Sequence, residues 1–188
     1  MDKTWDGKRT QEAPLGVARA VLYGTLTVFL LDGLDACLFW YLRAGSTPAQ
    51  IFRSVAAGFV GRDAALAGGA ALSLLGLSVH LLVAFCVAST FALASRRLPG
   101  LVRRPIFWGV VYGLAVYTVM YYGVMPLSAI GMPKWPPVPI PFVNNILIHI
   151  FGVGLPSAYW AWRAAGGARP VRRRPELSAP PGACPPDG

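Results

Sequence analysis

The sequence predicts an all-α polytopic membrane protein: a four-transmembrane-helix bundle with one short interfacial amphipathic helix. Three observations predict it. The 188 residues are 55% hydrophobic and only 13% charged, whereas soluble chains carry about 25% charged residues. Four apolar runs are each long enough, at ~1.5 Å rise per residue, to cross a ~30 Å hydrocarbon layer. Seventeen basic against eight acidic residues give a formal charge of +9, and the basic ones cluster beside the apolar runs. That clustering is a topology signal, so no nucleic-acid partner is expected; the expected partner is the lipid bilayer.

The elements follow in order. Residues 1–16 are polar and read as a disordered N-terminus. The first span covers about 17–42 and ends on Trp40 and Tyr41, which suit the headgroup layer. It is too long for a cleavable signal peptide and lacks a small-residue cleavage site. Thr47, Pro48 and Gln50 then form a helix start, with Thr47 as N-cap, Pro48 at N1 and Gln50 completing a capping box. The helix over about 48–61 is too short to span. Ile51, Phe52, Val55, Phe59 and Val60 are expected on one side, with Gln50, Arg53 and Ser54 on the other, so it reads as lying in the interface.

The second span is expected over about 64–94. Gly69, Ser73, Gly76, His80 and Ala84 recur at spacings of three or four and share a face. A small-residue seam lets helices approach closely in lipid. The third span, about 106–126, carries a similar face in Gly109 and Gly113. The fourth, about 142–162, places Asn145, His149, Gly152 and Pro156 together, with a kink expected at Pro156. Between the last two spans, Gly131 to Pro141 is too rich in proline for helix and reads as a stiff strap. Residues 165–188 read as a disordered basic tail rich in proline.

Basic residues set the expected orientation. Thirteen of the seventeen fall beside the N-terminus, the loop between spans two and three, and the tail; Arg43, Arg53, Arg62 and Lys134 fall on the other side. The rule that cytoplasmic loops carry the excess puts both termini in the cytoplasm. Cys37 and Cys86 sit in apolar runs and Cys184 in the tail, a spacing that gives neither a disulfide framework nor a metal knuckle. The composition leaves open a homo-oligomer or a membrane-protein partner.

The chemistry is concentrated in a few polar residues inside the spans. Asp32 and Asp35 interrupt the first apolar run. An Asp at mid-span costs roughly 2.5–3.5 kcal/mol on insertion, while each Leu, Ile, Phe or Val returns about 0.3–0.6. The span holds about a dozen such residues, so it is marginal alone and its acids must find partners. Asp32, Asp35, His80, Asn145 and His149 are expected to form one buried cluster, with Arg62 capping it from the outer surface. Three readings compete. The leading one is a structural network in a non-enzymatic protein. The second is proton or cation handling through Asp32, Asp35, His80 and His149, since intramembrane acids mark such routes and histidine as a residue type changes charge near neutral pH. The third is haem or metal binding by His80 and His149, against which their unequal depths in the membrane count. No phosphate loop, serine elbow or paired zinc histidines occur, and no cofactor is predicted.

The pattern Gly58-Phe59-Val60-Gly61-Arg62, Gly68-Gly69, Leu75-Gly76, His80, Arg104-Pro105, Tyr112-Gly113, Met125-Pro126-Leu127-Ser128, His149 and Val153-Gly154-Leu155-Pro156 resembles a group of bacterial four-span inner-membrane proteins. The second half, with its proline-rich loop followed by Asn144 or Asn145 and His149, is distantly similar to the YagU family. The resemblance implies a multi-pass protein of the bacterial cytoplasmic membrane, loosely linked to acid tolerance.

Overall fold

A computed structural model describes residues 16–131 and 138–167. Among them there is no strand, and four helices are long and apolar enough to cross a membrane. The expected disordered N-terminus, the core of the proline strap (132–137) and the basic tail beyond 167 lie outside the described residues.

Span one is a single helix, α1 (Val17–Ala44). It stops at Gly45, whose φ of 65° is the left-handed conformation glycine adopts without a Cβ penalty, and whose N–H closes on the carbonyls of Trp40 and Tyr41. Next comes α2 (Pro48–Val60), opened by a complete capping box: the Thr47 side chain accepts from Gln50 N–H, and the Gln50 side chain accepts from Thr47 N–H at 2.7 Å. A second positive φ, 83° at Gly61, turns the chain into α3 (Arg62–Ala67).

The second span does not run from residue 64. Gly68 and Gly69 are extended, and the spanning helix is α4 (Ala70–Arg97). A short turn, α5 (Gly100–Arg103), leads to span three, built from α6 (Pro105–Val119), a π-helical segment (Met120–Val124) and α7 (Met125–Leu127). Span four has the same plan: α8 (Pro139–Ile148), a π-helical segment (His149–Gly154) and α9 (Leu155–Ala164). Both π segments have one cause. Pro126 and Pro156 have no N–H for the carbonyl four residues back and crowd it. The preceding residue instead donates five back, Met125 to Met120 and Leu155 to Ile150. The kink expected at Pro156 is thus a widened turn just before it.

Span four is the hub, packing on spans one, two and three. Spans one and two pack on each other, and span three rests chiefly on span four. The core is made of small residues, as packing in lipid requires. Ala20, Ala84, Ala88, Ala158 and Ala161 are buried, while Leu34, Leu38 and Leu42 stand exposed on α1. Gly109 and Gly113 sit against span four: a Cβ at Gly113 would come within 2.8 Å of Ile150 Cα, and Gly154, absent from the expected packing set, lies against Gly109 and Gly113 in return. Gly152 abuts Leu31 and Ile148.

The seam on α4 has a different partner from the one expected. Ser73 donates to the Ala49 carbonyl at 3.0 Å, and a Cβ at Gly76 would overlap the Phe52 carbonyl. Its first half therefore packs on α2, not on another span. Gly69 packs on nothing: a Cβ there would meet no atom within 4 Å. Its role is the break that starts α4. Arg53, expected on the polar face of α2, donates to the Gly68 carbonyl and ties α2 to that break, and Gly58 O accepts from Ala129 N at 2.8 Å, tying it to the end of span three.

Candidate functional site

Asp32 and Asp35, three residues apart on α1, share one face. They form a wall of a cavity of about 280 Å³ between all four spans. The other spans contribute His80 from α4, Tyr117 and Tyr121 from span three, and Asn144, Asn145 and His149 from span four. The cavity lies where span three, resting on span four, leaves room in front of α1 and α4. Of the residues expected to cluster, Asp32, Asp35, His80, Asn145 and His149 all line it. Arg62 does not: it is exposed at the first turn of α3, because Gly61 turns the chain there.

The depths are also more even than expected. With α4 starting at Ala70, His80 lies ten residues into its span, and His149 lies ten residues beyond Pro139. At ~1.5 Å per residue each sits ~15 Å from that end. The objection that the two histidines lie at unequal depths falls with the corrected helix start.

Each acid has a distinct setting. Asp35 Oδ2 accepts from Asn144 Nδ2 at 2.8 Å. Sequence reasoning chose Asn145 for the cluster; its neighbour Asn144 carries the bond, and only the helix phase of α8 against α1 separates them. Asp32 faces His80, with Oδ2 at 3.8 Å from Nδ1, too long for a direct hydrogen bond. Side-chain exposures of 28% for Asp32 and 13% for His80 show that this pair borders open space.

The His80 ring is held firmly. It lies between Phe29 and Phe52, with ring centroids at 5.2 and 6.0 Å. Its Nε2 is 3.2 Å from the Phe29 carbonyl oxygen. A carbonyl only accepts, so Nε2 carries the hydrogen and Nδ1 is the nitrogen turned to Asp32. Gly33 makes this approach possible, since a Cβ there would stand 3.2 Å from Nε2. His149 is committed differently: its Nδ1 donates to the Asn145 carbonyl at 2.8 Å, one turn back on its own helix. Among the described residues no three of His, Cys, Asp and Glu gather as a metal-binding group.

Tyr117 is the residue the sequence did not reveal. It is 6% exposed, and its ring stacks on Tyr121 at 5.5 Å and meets His149 and Phe142 edge-on at 5.6 and 6.1 Å. Its hydroxyl is buried without a hydrogen-bond partner. Thr27, Ser78, Thr90, Thr118 and Ser157 each donate to the carbonyl four residues back, the usual way to satisfy such groups in lipid, whereas the buried hydroxyls of Thr25 and Ser89, like that of Tyr117, have no partner. A tyrosine is too long to bond back in this way, and no repeating pattern marks it.

Fold and site together define a four-span α-helical membrane protein with a largely apolar cavity inside the bundle, into whose wall a few polar side chains are set. Compared with protein-family models, with curated proteins and with solved structures, the chain matches none.

Proposed function

We propose that this chain is a non-enzymatic integral membrane protein that handles protons or cations through the cavity of Asp32, Asp35, His80 and His149. We place it in a bacterial cytoplasmic membrane with both termini inside. The distribution of basic residues supports the orientation, and the resemblance to bacterial four-span proteins, distantly YagU-like, supports the membrane.

The carrying observation is the Asp32–His80 pair. With Nε2–H on the Phe29 carbonyl, the Nδ1 lone pair of a neutral His80 would face the lone pairs of an ionised Asp32. Two acceptors that face each other at the edge of an open cavity form a place where a proton or cation can be received. Asp35, His149, Tyr117 and Tyr121 border the same space, whereas α2 sends only Val55 to the wall. Purified protein in sealed vesicles is expected to dissipate an imposed pH gradient, and Asp32→Asn or His80→Gln to cut that flux at least several-fold. No flux between pH 5 and 8 removes the proposal.

The Asp35–Asn144 bond favours a second reading, a structural network that sets how the spans pack. Under it, Asp32→Asn combined with His149→Gln leaves cellular phenotype intact at normal abundance. Haem binding is the third. His80 has only Nδ1 left for a metal, and that atom already faces a carboxylate; a haem absorbance band in the purified protein would revive the idea.

A further inference from the structure

We infer that the first half of span four, α8, is a hinged arm that closes the cavity against α1, with the Asn144–Asp35 bond as its latch. The inference concerns how the cavity is reached and holds whatever the cavity handles.

The two halves of span four are held differently. The π segment and α9 pack closely on spans one and three and bury Gly152, Val153, Gly154, Ser157, Ala158 and Ala161. Among the described residues, α8 buries none of its own and touches α1 and α6 only lightly. Its ties across the cavity are the Asn144–Asp35 bond at 2.8 Å and the edge contact of Phe142 with Tyr117. Segments with few buried contacts are the ones that open locally. Yet α8 supplies Pro141, Asn144, Asn145 and Ile148 to the cavity wall, so its position decides whether that wall is closed.

The joint is built to bend. The π segment is fixed on α6: a Cβ at Gly113 would overlap the His149 carbonyl, and one at Gly154 the Gly109 carbonyl. The arm begins just before it, where the helix changes from the α to the wider π turn. Such changes of pitch are where helices bend. Bending a helix in lipid strands backbone groups at a cost. Here shared bonds limit that cost. The His149 N–H reaches the carbonyls of both Asn145 and Ile146, and the His149 ring donates to the Asn145 carbonyl at 2.8 Å. That carbonyl keeps a donor when the main-chain bond lengthens.

The first test needs no substitution. In the full chain in lipid nanodiscs, hydrogen exchange read by mass spectrometry should be at least about tenfold faster over 143–148 than over 158–163, although both lie in one apolar span. The second places a single cysteine in a chain lacking the native ones. Val28, 3% exposed, lines the cavity; Ser157, 3% exposed, does not. Asn144→Leu should speed modification of Val28→Cys by a small methanethiosulfonate about tenfold, as expected for one lost hydrogen bond to a carboxylate, and leave Ser157→Cys unchanged. Equal rates at Val28→Cys with and without Asn144→Leu overturn the inference. So does an equal rise at Ser157→Cys, which would mean that the whole bundle loosens. Uniform exchange along span four overturns it too, and decides alone if Asn144→Leu does not fold. Proton flux enters neither readout, so this inference and proton handling can fail separately.

Discussion

Asn144 shows how much one side chain decides in this bundle. It donates to Asp35 across two spans at 2.8 Å. Replacing it with leucine leaves a half-buried carboxyl without its donor. The expected cost is about 1–3 kcal/mol, read as a lower midpoint in denaturant unfolding from detergent. Asn145→Leu should cost less, because Asn145 holds His149 through its main-chain carbonyl, which the substitution keeps. The sequence could show that the two acids need partners, since the insertion arithmetic depends only on residue type and depth. It could not tell Asn144 from Asn145. Adjacent residues on a helix point about 100° apart, and only the phase of α8 against α1 selects one.

At the scale of elements, α2 is the clearest case. Its start was legible because a capping box is local: Thr47, Pro48 and Gln50 need nothing from the rest of the chain. Thr47→Ala should cost about 1 kcal/mol. The docking of α2 was not legible. Gly76 admits the Phe52 backbone where any side chain would collide, so Gly76→Val should push α2 off α4 and destabilise the protein by about 1–3 kcal/mol. Faster proteolysis within 48–60 at unchanged α1 protection would identify that event. The π segments were half legible. Pro126 and Pro156 announce trouble for a helix, but whether a chain answers with a kink or a widened turn depends on what packs against it. Here the close approach of Gly113 and Gly154 holds spans three and four together where the second π segment lies.

For the whole molecule the firmest prediction is orientation. In a variant lacking native cysteines, a cysteine at Ser46, between α1 and α2, should react with a membrane-impermeant maleimide from outside intact cells. One at Leu98, between α4 and α5, should react only after lysis. The reverse pattern would invert the topology. Four spans were readable because lipid imposes a length and a composition that few other folds satisfy, and the inside-out distribution of small buried and large exposed residues agrees with it. The seam of small residues was readable as a seam, but not for what lies on it. Small residues mark where another backbone can come close, not which backbone arrives.

The residues alone determined that four greasy segments cross the bilayer and that Asp32, Asp35, His80 and His149 lie within them, because hydropathy, length and proline chemistry act locally along the chain. Only the tertiary structure decided that these groups border one open space, that Asn144 holds an acid, that Arg62 stays outside, and that the Tyr117 hydroxyl is left without a partner. Those facts depend on the rotation and separation of helices against one another. Close contacts such as Gly76 on Phe52 and Gly154 on Gly109 set them, and no single stretch of sequence contains both sides of such a contact.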